Sequence, residues 1–470
     1  MRMDRLIEGL DVIEEVGGTS SAEVLAITED HRRVRAGSLY CCVTGQVSDG
    51  HDYADAAVRS GAVGLLCERR LPEPVPQAVV ASVRPAMAEV AATFHGRPSE
   101  HLAVIGVTGT NGKTTVTHML RAVLEAHGWR TGLFGTLSGP RTTASAPELQ
   151  EALATSLGEG CRAVAMEVSS HALTQHRVDA VRFAAAVFTN LSQDHLNYHG
   201  TMEAYFEAKA TLFRSGQAAV SVINVSGPWG RRLASVAAGQ VLTYSGHDAA
   251  DVVSGLAGSR FRWRSQLISL PIGGQFNIEN AVAAATTASA LGVSDETIAS
   301  GLSALPPVRG RMERIEAGQP FEAVVDFAHT PDGLERILAS ARRSLQGSAG
   351  RVAVVFGCGG NRDRSKRPLM GAIASRMADL AVVTNDNPRD EDPLEIISQI
   401  RSGMDGRAEV VVDPDRASAI ALALARARPG DVVIVAGKGH ESGQEISGVT
   451  RPFDDAAVVR ELLEQRGDDR

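Results

Sequence analysis

The segment Val104-Ile105-Gly106-Val107-Thr108-Gly109-Thr110-Asn111-Gly112-Lys113-Thr114-Thr115 runs from an apolar strand through a glycine-rich turn into a helix. Met119, Leu120, Val123 and Leu124 follow at helical spacing, so the turn lies between a strand and an amphipathic helix. That layout cradles phosphate: backbone N–H groups and a helix N-terminus face the anion, Lys113 adds positive charge, and Thr114 offers a hydroxyl to magnesium. The common phosphate-loop pattern places a glycine five residues before Gly112, where this chain has Val107. The departure points to one branch of nucleotide users.

Working outward, strand signals alternate with helical stretches in three blocks. The first block carries strands near 38–43, 63–67 and 78–81. The second carries them at 163–166, 185–189 and 219–224, with an alanine-rich helix at 278–291. The third carries them at 323–326, 352–356, 380–384, 409–412 and 432–436. Alternation of this kind predicts an α/β fold with parallel sheets covered on both faces. We expect three α/β domains: one at 1–99, a central P-loop ATPase-like domain at 100–309 opening on the phosphate loop, and a Rossmann-like domain at 310–470. Ligands in such sheets gather at the carboxyl ends of the strands, where most polar motifs fall.

The chain has 470 residues, a formal charge of −8, 44% hydrophobic and 22% charged residues. That balance gives no electrostatic support for nucleic acid or a membrane surface as a partner, so local arginines and backbone amides must hold any anionic ligand. The five cysteines show no metal spacing, which fits a reducing compartment. No apolar run reaches membrane-spanning length, and a cytoplasmic location and a monomer are expected.

Several motifs carry chemistry. The strand at 163–166 ends in Glu167, where a carboxylate beside a phosphate loop meets the need for a magnesium ligand. Asp194-His195 follows the strand at 185–189, and His195 beside a carboxylate is a credible metal ligand. Lys209, in Tyr205-Phe206-Glu207-Ala208-Lys209-Ala210, reads by itself as a lysine snorkelling to the surface.

The motifs together resemble the Mur ligases of peptidoglycan synthesis. The resemblance runs in order through Thr108–Thr115, Met166–Leu173, Asn190–Leu196, Gly310-Arg311-Met312-Glu313, Asp326–Pro331, Asp386-Asn387-Pro388-Arg389 and Gly437-Lys438-Gly439-His440-Glu441. Within the family it is most similar to the branch that adds the third residue to UDP-N-acetylmuramoyl-L-alanyl-D-glutamate. The resemblance implies that Gly109, Thr110, Asn111, Gly112, Lys113, Thr114 and Thr115 hold the ATP phosphates. Thr114 and Glu167 would bind one Mg2+, and His195 a second metal, with Lys209 as a carbamate formed from carbon dioxide. Lys113, Glu167, His195 and Lys209 are the implied catalytic set, which reverses the surface reading of Lys209. Asn277 and Asn280 match the adenine side, while Arg311, Asp326 and His329 complete the ATP site from the third domain.

The same resemblance puts the uridine nucleotide near Asp30, His31, Arg32 and the 45–51 stretch. It puts the muramoyl dipeptide near Thr142, Thr143, Ser169, Gln175 and Arg177. Arg362, Asp386, Asn387, Arg389, Gly437 and Glu441 would form the amino-acid pocket. There the guanidinium of Arg389 clamps the distal carboxylate of meso-diaminopimelate, which lysine lacks, and Glu441 faces its distal ammonium. This chain departs from the family at His31 (usually serine), in the short 135–144 run without its following proline, and at Asn224-Val225-Ser226-Gly227. Other readings are a paralogue taking a different amino acid or a modified acceptor, a folylpolyglutamate- or cyanophycin-type ligase, and a non-catalytic nucleotide-sugar or ATP-binding relative.

Overall fold

The computed structural model describes residues 1–45 and 47–468. Three sheets succeed one another along the chain. The first has five strands in the spatial order Val12–Val16, Gln77–Val80, Ala62–Cys67, Ser38–Cys41, Ala26–Thr28, and only its first pair is antiparallel. The second has six strands, all parallel: Gln240–Tyr244, Ala218–Asn224, Phe183–Phe188, Ala103–Thr108, Ala163–Glu167, Thr131–Phe134. The third also has six: Glu313–Arg314, Glu322–Asp326, Val432–Ala436, Val352–Phe356, Leu380–Val383, Glu409–Val412. Only its two-residue first strand runs antiparallel.

The central strand Ala103–Thr108 explains the loop that follows it. Val104, Ile105 and Val107 are fully buried because helices cover both faces of the sheet. Helix Lys113–Ala126 lays Val116, Met119, Leu120, Val123 and Leu124 against one face. Each such large apolar side chain contributes roughly 1.5–3 kcal/mol on burial. Helix Gln275–Ala290 is apolar on nearly every side and buried to match, its alanines letting it lie close to helix Lys113–Ala126.

Val107 pairs in register with Glu167 and Val187, so the ladder is still running where other phosphate loops have already turned. The turn begins after Thr108, and the first glycine of the common pattern has no task here.

The sequence reading passed over strands Val12–Val16, Ala26–Thr28, Gln240–Tyr244 and Glu313–Arg314, and also two units outside the three sheets. Strands Ala249–Ser254, Ser259–Trp263 and Gln266–Leu270 form a small antiparallel sheet beside the central one. Phe261, Trp263, Ile268 and Leu270 point inward, while Arg260, Arg262 and Leu267 face solvent. A hairpin of Gly443–Ile446 and Val449–Pro452 straps the loop at 386–389. Among the described residues no helix is long and apolar enough to cross a membrane.

Candidate active site

In the second sheet, the neighbouring strands Phe183–Phe188, Ala103–Thr108 and Ala163–Glu167 end side by side, so the loops after them converge. The loop at 109–112 is laced to the loop after Phe188. Thr110 N donates to Asn190 O at 3.0 Å, Asn111 N to Asn190 Oδ1 at 2.9 Å, and Thr189 Oγ1 to Asn111 O at 2.6 Å. Gly112 holds φ at +88°, and a Cβ there would stand 2.5 Å from Asn280 Oδ1, so the turn requires glycine twice over.

Lys113 curls back onto this loop, donating to Gly109 O at 3.0 Å and Thr110 O at 2.9 Å. Burial lowers its pKa against the opposing pull of Glu167 and Asp194. Thr114 Oγ1 donates to Glu167 Oε1 at 3.0 Å and accepts from Arg311 Nη2 at 2.9 Å. Thr136 also holds the Glu167 carboxylate, through its backbone N at 2.9 Å and its hydroxyl at 3.1 Å. Arg311 reaches across from the third sheet and lies 4.6 Å from the Phe327 ring centroid, with Nε buried and unpartnered.

Asp194 is the charge centre of the cleft. Its Oδ1 accepts from His195 N at 2.9 Å. The imidazoles of His195 and His329 lie 3.3 and 3.6 Å from Oδ2, and Lys366 Nζ is 3.6 Å from Oδ1. Burial alone would raise its pKa, yet Lys366 and the histidines hold it well below the usual carboxylate range. Burial takes His195 down to about 3, which leaves a neutral imidazole able to ligate a metal. Among the described residues no group of three His, Cys, Asp or Glu side chains is placed around one point to hold a metal. Thr114 with Glu167 nevertheless suits magnesium, which binds through one or two protein oxygens plus water and phosphate.

Lys209 does not snorkel. It is 1% exposed, donates to Gly109 O at 3.0 Å, and lies 4.7 Å from the Tyr205 ring centroid. Burial and the nearby Lys113 push its pKa well below that of an ordinary lysine, which favours the neutral amine.

The loops after the third sheet's strands face this cluster across a cleft of about 390 Å³ lined by Lys113, Thr114, Glu167, His195, His329, Arg362, Asp386, Arg389 and Glu441. Further ties close it: Asn111 Nδ2 donates to Asp332 Oδ2 at 2.9 Å, and Gln193 Nε2 to Ser365 Oγ at 2.8 Å. Asn277, Asn280 and Asp326 line a smaller recess beside Gly112. There Asp326, its pKa raised by burial, accepts from Met312 N at 2.7 Å.

Arg389 takes φ of +54° and donates through Nη1 to Gly360 O at 2.8 Å. Gly437 adopts φ +119° with Asp386 Oδ2 where a Cβ would sit, 2.6 Å away. Glu441 lines the cleft with its Oε2 already engaged: Lys438 Nζ lies 3.0 Å from it, and Asn387 Nδ2 donates to the same oxygen at 2.7 Å.

A separate groove of about 500 Å³ joins the first sheet to the central one, lined by Asp30, His31, Arg32, Gly45, Gly50, Tyr53, Arg84, Gln175 and Arg177. Gln46, inside the 45–51 stretch, lies outside the described residues. His31 stacks on Tyr53 with centroids 4.3 Å apart and planes 2° from parallel. The Arg32 guanidinium hydrogen-bonds Asp30 and takes its pKa down to about 2.

Thr142 lines the main cleft, not this groove. Thr143 and Ser169 turn inward: Thr143 Oγ1 donates to Glu167 O at 2.9 Å, and Ser169 Oγ accepts from Ala172 N at 3.1 Å. The Thr143 hydroxyl thus ties to the strand end, and the half-buried Ser169 caps helix Ser170–Thr174. Arg177 Nη1 donates to Thr143 O at 2.7 Å.

Sequence reasoning left Asp194, Lys366, Thr136 and Lys438 out of the site. Asp194 had a signal, its place beside His195. Lys366 sits in Arg364-Ser365-Lys366-Arg367, which reads as an ordinary charged surface run, and only tertiary packing buries it to 4%.

A profile described as Mur ligase middle domain matches residues 107–288, and one described as Mur ligase, glutamate ligase domain matches 310–439. The chain is 43% identical to the UDP-N-acetylmuramoyl-L-alanyl-D-glutamate--2,6-diaminopimelate ligase of Streptomyces coelicolor, over 98% of this chain and 96% of that protein. The chain belongs to the Mur ligase family. The enzyme of the same name from Geobacillus kaustophilus is 43% identical over 95% of this chain and 96% of its own length. A solved structure of a ligase of that name superposes with a TM-score of 0.69 at 32% identity, covering 99% of both chains. This Mur ligase thus shares its three-sheet α/β fold with relatives along nearly its whole length.

Burial holds His118, His171, His199 and His440 of this Mur ligase at about 4, below their ordinary 6.5. The unfolded chain therefore takes up protons near pH 6.5 that the folded protein refuses until about pH 4. The stability these groups contribute is whole above pH 6.5 and falls away toward pH 4. Thermal melts should show the midpoint dropping steadily between pH 6.5 and 4.5. A flat midpoint across that window would contradict neutral, buried histidines.

Proposed function

We propose that this chain is an ATP-dependent, ADP-forming ligase that adds meso-2,6-diaminopimelate to UDP-N-acetylmuramoyl-L-alanyl-D-glutamate. The observation that carries the reading is the single cleft lined by Lys113, Thr114 and Glu167 from the central unit and by Arg362 and Arg389 from the third. That arrangement suits a reaction in which a triphosphate activates a carboxylate for an amine held opposite. The relatives' names carry the same acceptor and 2,6-diaminopimelate, which supports that substrate pair; the meso form is this reading's own choice.

In this reading the D-glutamyl γ-carboxylate attacks the γ-phosphorus, the bridging oxygen leaves with ADP, and an acyl phosphate forms. The α-amine of the amino acid then attacks the acyl carbon and releases phosphate. Carboxylate and triphosphate repel each other, so the site's first task is charge. Magnesium, when bound, supplies positive charge to the phosphates; Thr114 and Glu167 would hold one ion, and His195 with Lys209 as a carbamate a second. The neutral amine of Lys209 is the form that reacts with carbon dioxide. Lys113 and the amides of the 109–112 turn neutralise charge that builds on the transferred phosphoryl group. Arg311, His329 and Lys366 come from the third sheet, so the ATP site is complete only when that unit is closed, and closure keeps water from the acyl phosphate. The groove around His31, Tyr53 and Arg84 takes the uridine nucleotide, with Gln175 and Arg177 directing the peptide toward the cleft.

Phosphate release should require ATP, the UDP-linked dipeptide and diaminopimelate together, with diaminopimelate preferred over lysine. Arg389→Ala should lower kcat/KM for diaminopimelate about 100-fold, the scale for leaving a carboxylate without its partner, and erase the preference over lysine. Lysine as the better substrate of the unaltered protein would overturn the specificity assignment.

A further inference from the structure

One buried ion pair in the third unit has no part in the chemistry above. Arg416 opens helix Arg416–Arg426, and Asp455 opens helix Asp455–Asp468. Both side chains are 0% exposed, and Arg416 Nε and Nη2 donate to the two Asp455 carboxylate oxygens, each at 2.7 Å. Burial opposes the Arg416 charge, but Asp455, and after it Asp386 and Glu441, raise its pKa above the ordinary arginine value. Desolvating two charges takes back much of what their attraction gives, so a packed apolar pair could serve the fold as well. The remaining N–H groups of the guanidinium point to a different use.

Arg416 Nη1 donates to Asn385 O and Nη2 to Ala436 O, both at 3.1 Å. These carbonyls belong to the residues just before Asp386 and Gly437, where two cleft-lining loops begin. Strand Val352–Phe356 separates the strands that feed those loops, Leu380–Val383 and Val432–Ala436. With neighbouring strands about 4.8 Å apart, no ladder bond can set the distance from one loop to the other. Side chains join the loop tips: Lys438 Nζ donates to Asn387 Oδ1 at 3.1 Å, and Asn387 Nδ2 to Glu441 Oε2 at 2.7 Å. At the roots of the loops the link is Arg416, whose planar fork fixes the directions of its donors. Asn385 Nδ2 in turn donates to Pro414 O at 2.7 Å, tying the segment that carries Arg416 to the same loop.

We infer that Arg416, held by Asp455, is a positioning residue for the amino-acid half of the cleft: its guanidinium sets the spacing of the loops at 385–389 and 437–441. The assignment rests on the proposed function. It brings the last helix, which contributes no residue to the cleft lining, into control of amino-acid binding. Arg416→Lys keeps a charge beside Asp455, but one nitrogen replaces the fork and cannot span the carboxylate and both carbonyls.

Steady-state assays on the full chain, with thermal melts alongside, test this in Arg416→Lys, in the double variant Arg416→Met with Asp455→Leu, and in Ile420→Ala. The double variant exchanges the ion pair for apolar side chains of comparable size and leaves no lone charge buried. Ile420 is fully buried on the same helix, and its truncation opens a cavity while removing no hydrogen bond. Arg416→Lys and the double variant should each raise KM for meso-diaminopimelate about tenfold, within the loss that a misplacement of about 1 Å can cause. KM for ATP and for the UDP-linked acceptor should hold. Ile420→Ala should lower the melting midpoint and leave all three KM values in place. An unchanged KM for diaminopimelate in Arg416→Lys or in the double variant overturns the inference and leaves the proposed function standing. So does an equal rise in Ile420→Ala, or a rise in all three KM values together, since either marks a merely structural role. An unaltered protein that turns over no diaminopimelate overturns both.

Discussion

Replacing Lys113 with alanine is expected to lower ADP formation about 1,000-fold while leaving the fold intact. Removing one preorganised donor to a charge-bearing transition state costs about 100- to 1,000-fold. Lys113 is also the cation placed inside the 109–112 turn, so the upper end applies. Stability should not suffer, because burial works against the Lys113 charge in the folded protein. Its two hydrogen bonds go to loop carbonyls of a turn that Asn190 and Thr189 hold independently. Circular dichroism melts alongside the ADP assay separate the two effects. Near-normal turnover in Lys113→Ala would contradict a phosphate cradle at this loop. A collapsed melt would mean that the lysine serves the fold instead.

Lys209→Ala should likewise cost about 100-fold or more, and its diagnostic is rescue. If the neutral amine carries a carbamate, the alanine variant lacks a carboxylate beside the phosphate loop, and a short-chain acid such as formate or acetate can supply one. Millimolar additions should restore part of the lost rate in Lys209→Ala and none in Lys113→Ala. Full activity without any added acid would remove Lys209 from the mechanism. Loss without rescue by acids of any size would reduce it to the contact with Gly109 O seen in the structure.

The strands and helices that build the three sheets were largely legible because buried parallel strands leave short apolar runs between helical periods. The small sheet of 249–270 was not. Its outward positions carry Arg260, Arg262 and an exposed Leu267, so the alternation has a weak contrast, and it packs on the central unit instead of extending a parallel sheet. Phosphate-loop geometry followed from local sequence, since Gly112 and the helix start are set within a few residues. Convergence of Arg311, His329 and Lys366 on Thr114 and Asp194 depends on how two sheets face each other, and no local pattern encodes it. Lys209 shows the limit most clearly. Its neighbours on the helix look like a surface for a flexible cation, yet the helix turns it under the loop against Gly109 O, Thr108 Oγ1 and the Tyr205 ring. Glu441 shows the converse: its place in the motif was legible, and its pairing with Lys438 was not.

Mass spectrometry of the nucleotide product bears most directly on the central claim, that this cleft joins diaminopimelate to an activated D-glutamyl carboxylate. The protein is given ATP, UDP-N-acetylmuramoyl-L-alanyl-D-glutamate and an equimolar mixture of meso-diaminopimelate, lysine and ornithine. The account predicts one dominant product, heavier than the acceptor by diaminopimelate less water, with one ADP and one phosphate released for each. A lysyl or ornithyl product, or ADP formed with no amide at all, would contradict it.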